Sequence, residues 1–171
     1  RQMCIRDSNL ISKSYAKQVL ASIDPARATP SSDIKGGVPV KEGNHTTHYS
    51  IVDKAGNAVS VTYSLGLRFG TGKVAGDAGF FLNDTMEGFT AKVGAPNVFG
   101  LIQGKANAIA PGKRSLSSMT PTVVLKDGKV FMVTGSPGGP RIITTTLQTI
   151  LNVIDYGMDV QAAVDAPRIH H

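Results

Sequence analysis

Polar and apolar residues alternate through Thr47-His48-Tyr49-Ser50-Ile51-Val52 and again through Ala58-Val59-Ser60-Val61-Thr62-Tyr63-Ser64, separated by Asp53-Lys54-Ala55-Gly56-Asn57. A period of two over β-branched and aromatic residues, broken by a turn-forming cluster, specifies a β-hairpin. The pattern recurs where Pro121-Thr122-Val123-Val124-Leu125 and Val130-Phe131-Met132-Val133-Thr134 flank Lys126-Asp127-Gly128-Lys129. Asp-Gly there supplies the positive φ of a tight turn. Two hairpins predict a sheet. After Gly138-Gly139-Pro140, the apolar residues Ile143, Leu147, Ile150, Leu151 and Ile154 take up helical spacing, which predicts a helix packed on that sheet. A further short helix begins at Val160 to Val164, and Ile11, Tyr15, Val19 and Ile23 place an amphipathic helix over residues 11–23.

The chain has 171 residues, of which 41% are hydrophobic and 18% charged, enough for a core and about one domain's worth of chain. That composition excludes a wholly disordered or collagen-like chain. No stretch approaches the roughly 18 apolar residues of a membrane span, and the start lacks the basic-then-apolar layout of a signal peptide. The end at Ile169-His170-His171 carries no polar tail or capping signal, so truncation at both ends is the expectation. Cys4 is the one cysteine and has neither a disulfide partner nor a metal-binding cluster beside it. The net charge of +6 comes from scattered lysines and arginines, without the basic run or aromatic interleaving of a nucleic-acid footprint. Residues 26–44 are rich in Pro, Ser, Gly and Lys and read as a long exposed connector, either functional or a place where the chain is cut. Residues 65–118 are dense in glycine and read as loops, where binding and catalytic groups sit on a rigid sheet.

The connector runs into the first strand through Asn44-His45-Thr46-Thr47-His48. Cleavage of the His45 to Thr46 bond would give Thr46 both a hydroxyl nucleophile and a free α-amine to act as its base, with an ordinary pKa of about 8. The alternative is that Thr46-Thr47 only begins a β-branched strand. Gly135-Ser136-Pro137-Gly138-Gly139 lies between a strand and a helix, where converging N–H groups can hold an oxyanion; the alternative is a simple glycine turn. It has neither the spacing nor the lysine of a phosphate-binding loop. Ser117-Ser118, close behind Lys113-Arg114, can bind a carboxylate or serve as polar turn residues. His45, His48, His170 and His171 show no zinc-ligand spacing, so no metal is expected, and His48 reads as a hydrogen-bonded structural histidine. No Gly-x-Ser-x-Gly elbow accompanies a suitable Asp and His, which disfavours a Ser-His-Asp hydrolase.

Taken together, Thr46-Thr47-His48-Tyr49-Ser50, Phe69-Gly70-Thr71-Gly72, Pro111-Gly112-Lys113-Arg114, Leu116-Ser117-Ser118-Met119, Gly135-Ser136-Pro137-Gly138-Gly139 and Ala166-Pro167-Arg168 resemble the γ-glutamyltransferase family in order and spacing. The resemblance implies an α/β fold of the N-terminal-nucleophile hydrolase type, a four-layer αββα sandwich of which this chain supplies about half. It implies that residues 1–45 are the tail of a large subunit and residues 46–171 most of the small, catalytic subunit. The activity implied is self-cleavage between His45 and Thr46, followed by attack of Thr46 on a γ-glutamyl amide such as glutathione and transfer to water or an amino acid. By position, Thr46 is the nucleophile and Ser64 assists its amine. Ser117 and Ser118 bind the glutamyl α-carboxylate, Gly138 and Gly139 supply oxyanion amides, and Phe99 lies in a lid loop. No cofactor is implied.

Three positions depart from the family pattern: Gly66 replaces an asparagine, Thr85 a Gln or Glu, and Gly88 an Asp that pairs with the substrate ammonium, leaving Glu87 as the neighbouring carboxylate. A lost charged pair costs recognition of the α-amine. A glutaryl-type (cephalosporin) acylase is therefore the alternative activity, and an inactive small-subunit-like scaffold the alternative from another class. The expected partners are the large subunit from the same precursor, a γ-glutamyl substrate and an amino-acid or peptide acceptor. A periplasmic or extracellular location rests on the resemblance alone.

Overall fold

The computed structural model describes residues 13–21, 23–27 and 46–170. The chain forms two compact units, one of residues up to 41 with Met86–Leu116, the other of Glu42–Thr85 with Ser117–His171. In the first, α1 (Lys13–Ala21) lies within the helix expected over residues 11–23. The connector and His45 fall outside the described residues, apart from the turn at its beginning.

The second unit holds both hairpins. Strands β1 (Thr46–Val52) and β2 (Ala58–Ser64) pair antiparallel, with Thr46 opposite Ser64 and Val52 opposite Ala58. Their turn is built by Asp53, whose carboxylate accepts from the Ala55 and Asn57 amides at 2.9 and 2.8 Å and from Asn57 Nδ2 at 2.7 Å. Strands β3 (Thr122–Lys126) and β4 (Lys129–Thr134) close on Asp127 and Gly128, with φ of 52° and 75°. These successive positive φ values are the mirror-image turn that Asp-Gly favours.

The single sheet expected from two hairpins is not formed: β1–β2 and β3–β4 are separate two-stranded ladders. Strand β4 packs against β1 and β2, but side chains fill the seam. Ser60 Oγ donates to the Thr134 carbonyl at 3.0 Å, and the His48 ring lies where a Cβ on Gly135 would fall. A carbonyl capped by a hydroxyl has no need of a neighbouring strand's amide.

Helix α2 (Ile142–Ile154) follows a 3₁₀ turn over Gly139–Arg141, and α3 (Val160–Asp165) is capped by Asp159, whose side chain accepts from the Ala162 amide at 2.8 Å. The packed face of α2 corrects the expectation from spacing. Ile142, Thr146 and Thr149 are buried, whereas Ile143, Leu147, Leu151 and Ile154 are largely exposed. The threonine face is acceptable inside because its hydroxyls are satisfied: Thr149 donates to the Thr145 carbonyl at 2.9 Å, and Thr146 accepts from Thr120 at 3.2 Å. The first hairpin shows the same inversion. Tyr49, Ile51, Val59 and Tyr63 stand exposed on one face, while Thr46, His48, Ser60, Thr62 and Ser64 are half-buried on the other.

Residues 65–118 form loops as expected, with short 3₁₀ turns and isolated bridges. In the first unit Phe89 and Thr90 are buried, and Thr90 Oγ1 donates to the Gly104 carbonyl at 2.9 Å. Among the described residues, no helix is long and apolar enough to cross a membrane.

Candidate active site

Thr46 opens β1, and alternation puts its side chain on the packed, polar face with His48 and Ser50. The opposing residues on that face are Ser64, Thr62 and Ser60. Thr46 Oγ1 donates to Ser64 Oγ at 3.3 Å, and Ser64 Oγ accepts from the Gly66 amide at 3.0 Å. A cross-strand hydroxyl pair thus stands at the end of the hairpin where the connector enters.

His48 is fixed at both ring nitrogens, by Thr62 Oγ1 at 2.9 Å and Ser50 Oγ at 3.0 Å. A Cβ on Gly135 would lie 2.3 Å from His48 Cε1, so the glycine lets the loop after β4 pass against the ring. Burial lowers the imidazole pKa from its ordinary 6.5. The unfolded chain therefore takes up this proton at higher pH than the folded one. His48 contributes stability that is present above about pH 6.5 and lost as pH falls through its lower folded value. Thermal melts of the full-length protein between about pH 5 and 7.5 will show a steeper acid-side loss than those of His48→Asn.

The loop that passes His48 continues to Gly138 and Gly139, with φ of 131° and 57°. Neither amide of this pair donates a hydrogen bond to another described residue, while the Gly138 carbonyl accepts from the Arg141 amide at 3.1 Å. Two consecutive positive φ values turn adjacent amides away from the helical ladder, an arrangement able to bind an anion. Ser118 Oγ donates to the Gly139 carbonyl at 2.9 Å. Ser117 is exposed, and its Oγ accepts from the Met119 amide at 3.2 Å. Thr46, Ser64, Ser117, Ser118, Gly138 and Gly139 all belong to the second unit, as do Gly66 and Thr85.

The chain matches the gamma-glutamyltranspeptidase family model over residues 3–171. It belongs to this family. It is 61% identical to the glutathione hydrolase proenzyme of Pseudomonas sp. (strain A14) over 163 residues, which cover 95% of this chain and 28% of that protein. Against the glutathione hydrolase proenzyme of Escherichia coli (strain K12) it is 58% identical, with the same coverage of each. The chain thus spans little more than a quarter of the length of these curated relatives. In three dimensions it resembles a variant of the Helicobacter pylori gamma-glutamyltranspeptidase, with a TM-score of 0.69 and 58% identity over 72% of this chain and 67% of that one. Its gamma-glutamyltranspeptidase structural neighbours have the N-terminal-nucleophile hydrolase fold.

The departures at Gly66 and Gly88 have a structural side. Gly66 has φ 91°, and a Cβ there would lie 1.7 Å from Asp84 Oδ1, which accepts from the Leu67 amide at 3.0 Å. Asp84, given no role by the sequence, thus clamps the turn that follows Ser64; an aspartate in a loop carries no signal of this. Thr85 spends its hydroxyl on Asn83 Oδ1 at 2.5 Å. In the first unit, a Cβ on Gly88 would lie 3.1 Å from Ser115 Oγ and 3.2 Å from the Leu116 carbonyl. Asn107, also missed, ties this region by donating to the Gly88 carbonyl at 2.7 Å and accepting from the Leu116 amide at 3.1 Å. Glu87 lines a recess of about 250 Å³ with Phe89, Lys92, Asn97 and Val98. Phe99 is half-buried, its amide donating to Asn97 Oδ1 at 3.0 Å. Among the described residues, no group of three or more His, Cys, Asp or Glu is arranged to hold a metal ion.

Proposed function

We propose that this chain is the catalytic part of a self-processing acyltransferase that cleaves γ-glutamyl amides such as glutathione. The observation that carries the reading is the Thr46 to Ser64 hydroxyl pair at the entry to β1, on a hairpin face packed towards the Gly135–Gly139 segment. Relatives sharing more than half of its aligned residues are called glutathione hydrolase proenzymes, which supports both the substrate and the processing step.

In this reading, cleavage before Thr46 frees its α-amine, which takes the hydroxyl proton as Oγ1 attacks the γ-carbonyl carbon. The amides of Gly138 and Gly139 hold the oxyanion, where each well-placed donor is worth about 3 kcal/mol of barrier. The tetrahedral adduct collapses, the leaving amine takes the proton, and a γ-glutamyl ester remains on Thr46. Water or the amine of an amino acid resolves that ester by the same steps. Ser64 orients the nucleophile, Ser117 and Ser118 serve the α-carboxylate end, and Gly66 and Thr85 belong to the substrate side. No step calls for a cofactor.

Residues 1–45 are the tail of the large subunit, residues 46–171 belong to the small one, and the two complete a four-layer αββα sandwich. The exposed apolar faces of the first hairpin and of α2 support a partner that covers them. We place the mature enzyme outside the cytoplasm, in the periplasm or beyond.

Hydrolysis of γ-glutamyl and glutaryl anilides by the processed full-length enzyme tests the substrate. The γ-glutamyl compound is expected to turn over at least about tenfold faster by kcat/KM, a difference of about 1.4 kcal/mol. A preference for the glutaryl compound would make it an acylase of the glutaryl type instead.

A further inference from the structure

The pair Ser117-Ser118 sits beside the glycine loop, but its two hydroxyls are engaged differently. Ser118 Oγ donates to the Gly139 carbonyl at 2.9 Å. A hydroxyl has one hydrogen, so in this arrangement Ser118 has no donor left for a substrate carboxylate. Ser117 Oγ only accepts in its contact with the Met119 amide, so its hydrogen is not spent there, and the side chain is exposed.

The carbonyl that Ser118 holds is an unusual handle. It precedes Pro140, whose nitrogen has no hydrogen, so it is the sole hydrogen-bonding group of its peptide plane. It also accepts from the Ile142 amide at the start of α2. Gly138 and Gly139 have no side chains to fix their own torsions and sit at φ 131° and 57°. Their geometry is therefore set from outside, and Ser118 is the side chain that does so.

Two residues further along, Thr120 Oγ1 donates to Thr146 Oγ1 at 3.2 Å, and Thr146 is buried. Thr122 Oγ1 in turn donates to the Thr120 carbonyl at 3.0 Å. The segment after Ser117 is thus stitched by hydroxyls at two points, first to the glycine loop and then to the helix that follows it.

From this we infer that Ser118 is a positioning residue, whose hydroxyl fixes the Gly138–Gly139 backbone through the Gly139 carbonyl while Ser117 alone of the pair offers its hydroxyl to the substrate carboxylate. The inference rests on the acyl-transfer reading above and divides the labour within it. Ser118 then governs how well the oxyanion is held, not how well the substrate is bound. Thr120 and Thr146 keep the segment in register.

Steady-state kinetics of the processed full-length enzyme decide this, using γ-glutamyl anilide and 4-aminobutanoyl anilide, which lacks the α-carboxylate. Ser118→Ala is expected to lower kcat about 10-fold or more on both substrates with KM nearly unchanged, and Ser118→Thr to restore most of the loss. Ser117→Ala is expected to raise KM about tenfold for the γ-glutamyl compound and to leave the 4-aminobutanoyl compound unaffected. A Ser118→Ala enzyme with raised KM, unchanged kcat and no effect on the 4-aminobutanoyl compound would overturn the inference. Should that variant fail to mature, Ser118→Cys, a weaker donor, takes its place, and the same KM-only pattern would overturn it equally. Failure of the underlying reading looks different: the unmutated enzyme would turn over neither compound, or Thr46→Ala would turn over both.

Discussion

Alanine in place of Gly138 lowers kcat of the processed enzyme by about 10²- to 10³-fold while the protein still folds. At φ 131° and ψ 23° the residue lies where a side chain is strained by roughly 1 to 3 kcal/mol. The chain relieves that strain by rotating the adjoining peptide planes, and those planes carry the amides proposed to hold the oxyanion. An amide turned away removes a donor at the moment charge develops. Substrate binding does not depend on that donor, so KM changes little. Gly139→Ala follows the same logic with a smaller loss, because φ 57° lies in the left-handed region that other residues visit at a cost of about 1 kcal/mol. Equal losses in kcat/KM arising wholly from KM would argue that the loop binds substrate instead.

Gly70→Ala has the largest expected effect on stability, about 3 kcal/mol. Its φ is 54°, and a Cβ would lie 2.1 Å from the Leu82 carbonyl oxygen and 3.0 Å from Asn83 Cα. Both are backbone atoms, and that carbonyl already accepts from the Thr71 amide at 3.0 Å. Backbone strain and overpacking therefore add, at about 1 and 2 kcal/mol. Gly72, two residues on, is the control: its φ is 72°, yet nothing lies within 4 Å of a Cβ there. Gly72→Ala pays the backbone cost alone, about 1 kcal/mol. Chemical denaturation of the full-length protein with each substitution separates the two, and equal losses would contradict the close approach at Gly70.

The sequence carried the local elements well because their signals are local. Alternation and Asp127-Gly128 placed the second hairpin within a residue of its observed ends, and the glycine loop before α2 was legible for the same reason. Two features were misjudged, both concerning what an element faces. The apolar stripe of α2 was expected on the sheet, yet the buried residues are Ile142, Thr146 and Thr149, and Ile143, Leu147 and Ile154 stand exposed. Periodicity reports that a helix has two faces, not which one meets its neighbour. The hairpins were expected to join in one sheet, and Ser60 and His48 instead fill the seam between them. Side-chain capping of a carbonyl by a residue 74 positions away leaves no trace in sequence spacing. For the site, the motifs gave Thr46, Ser64, Ser117, Ser118, Gly138 and Gly139, which the fold gathers in one unit. Asp84 and Asn107 escaped because their work is to satisfy backbone groups of distant turns.

The central claim, that Thr46 is released as a terminal nucleophile by the chain's own chemistry, is tested most directly by intact-mass spectrometry. The full-length precursor and its Thr46→Ala form are incubated at neutral pH after purification. Two fragments meeting between His45 and Thr46 in the unmutated protein, with the variant left whole, is the predicted result. An unmutated precursor that folds and stays whole, or a Thr46→Ala form that splits at the same bond, would contradict it.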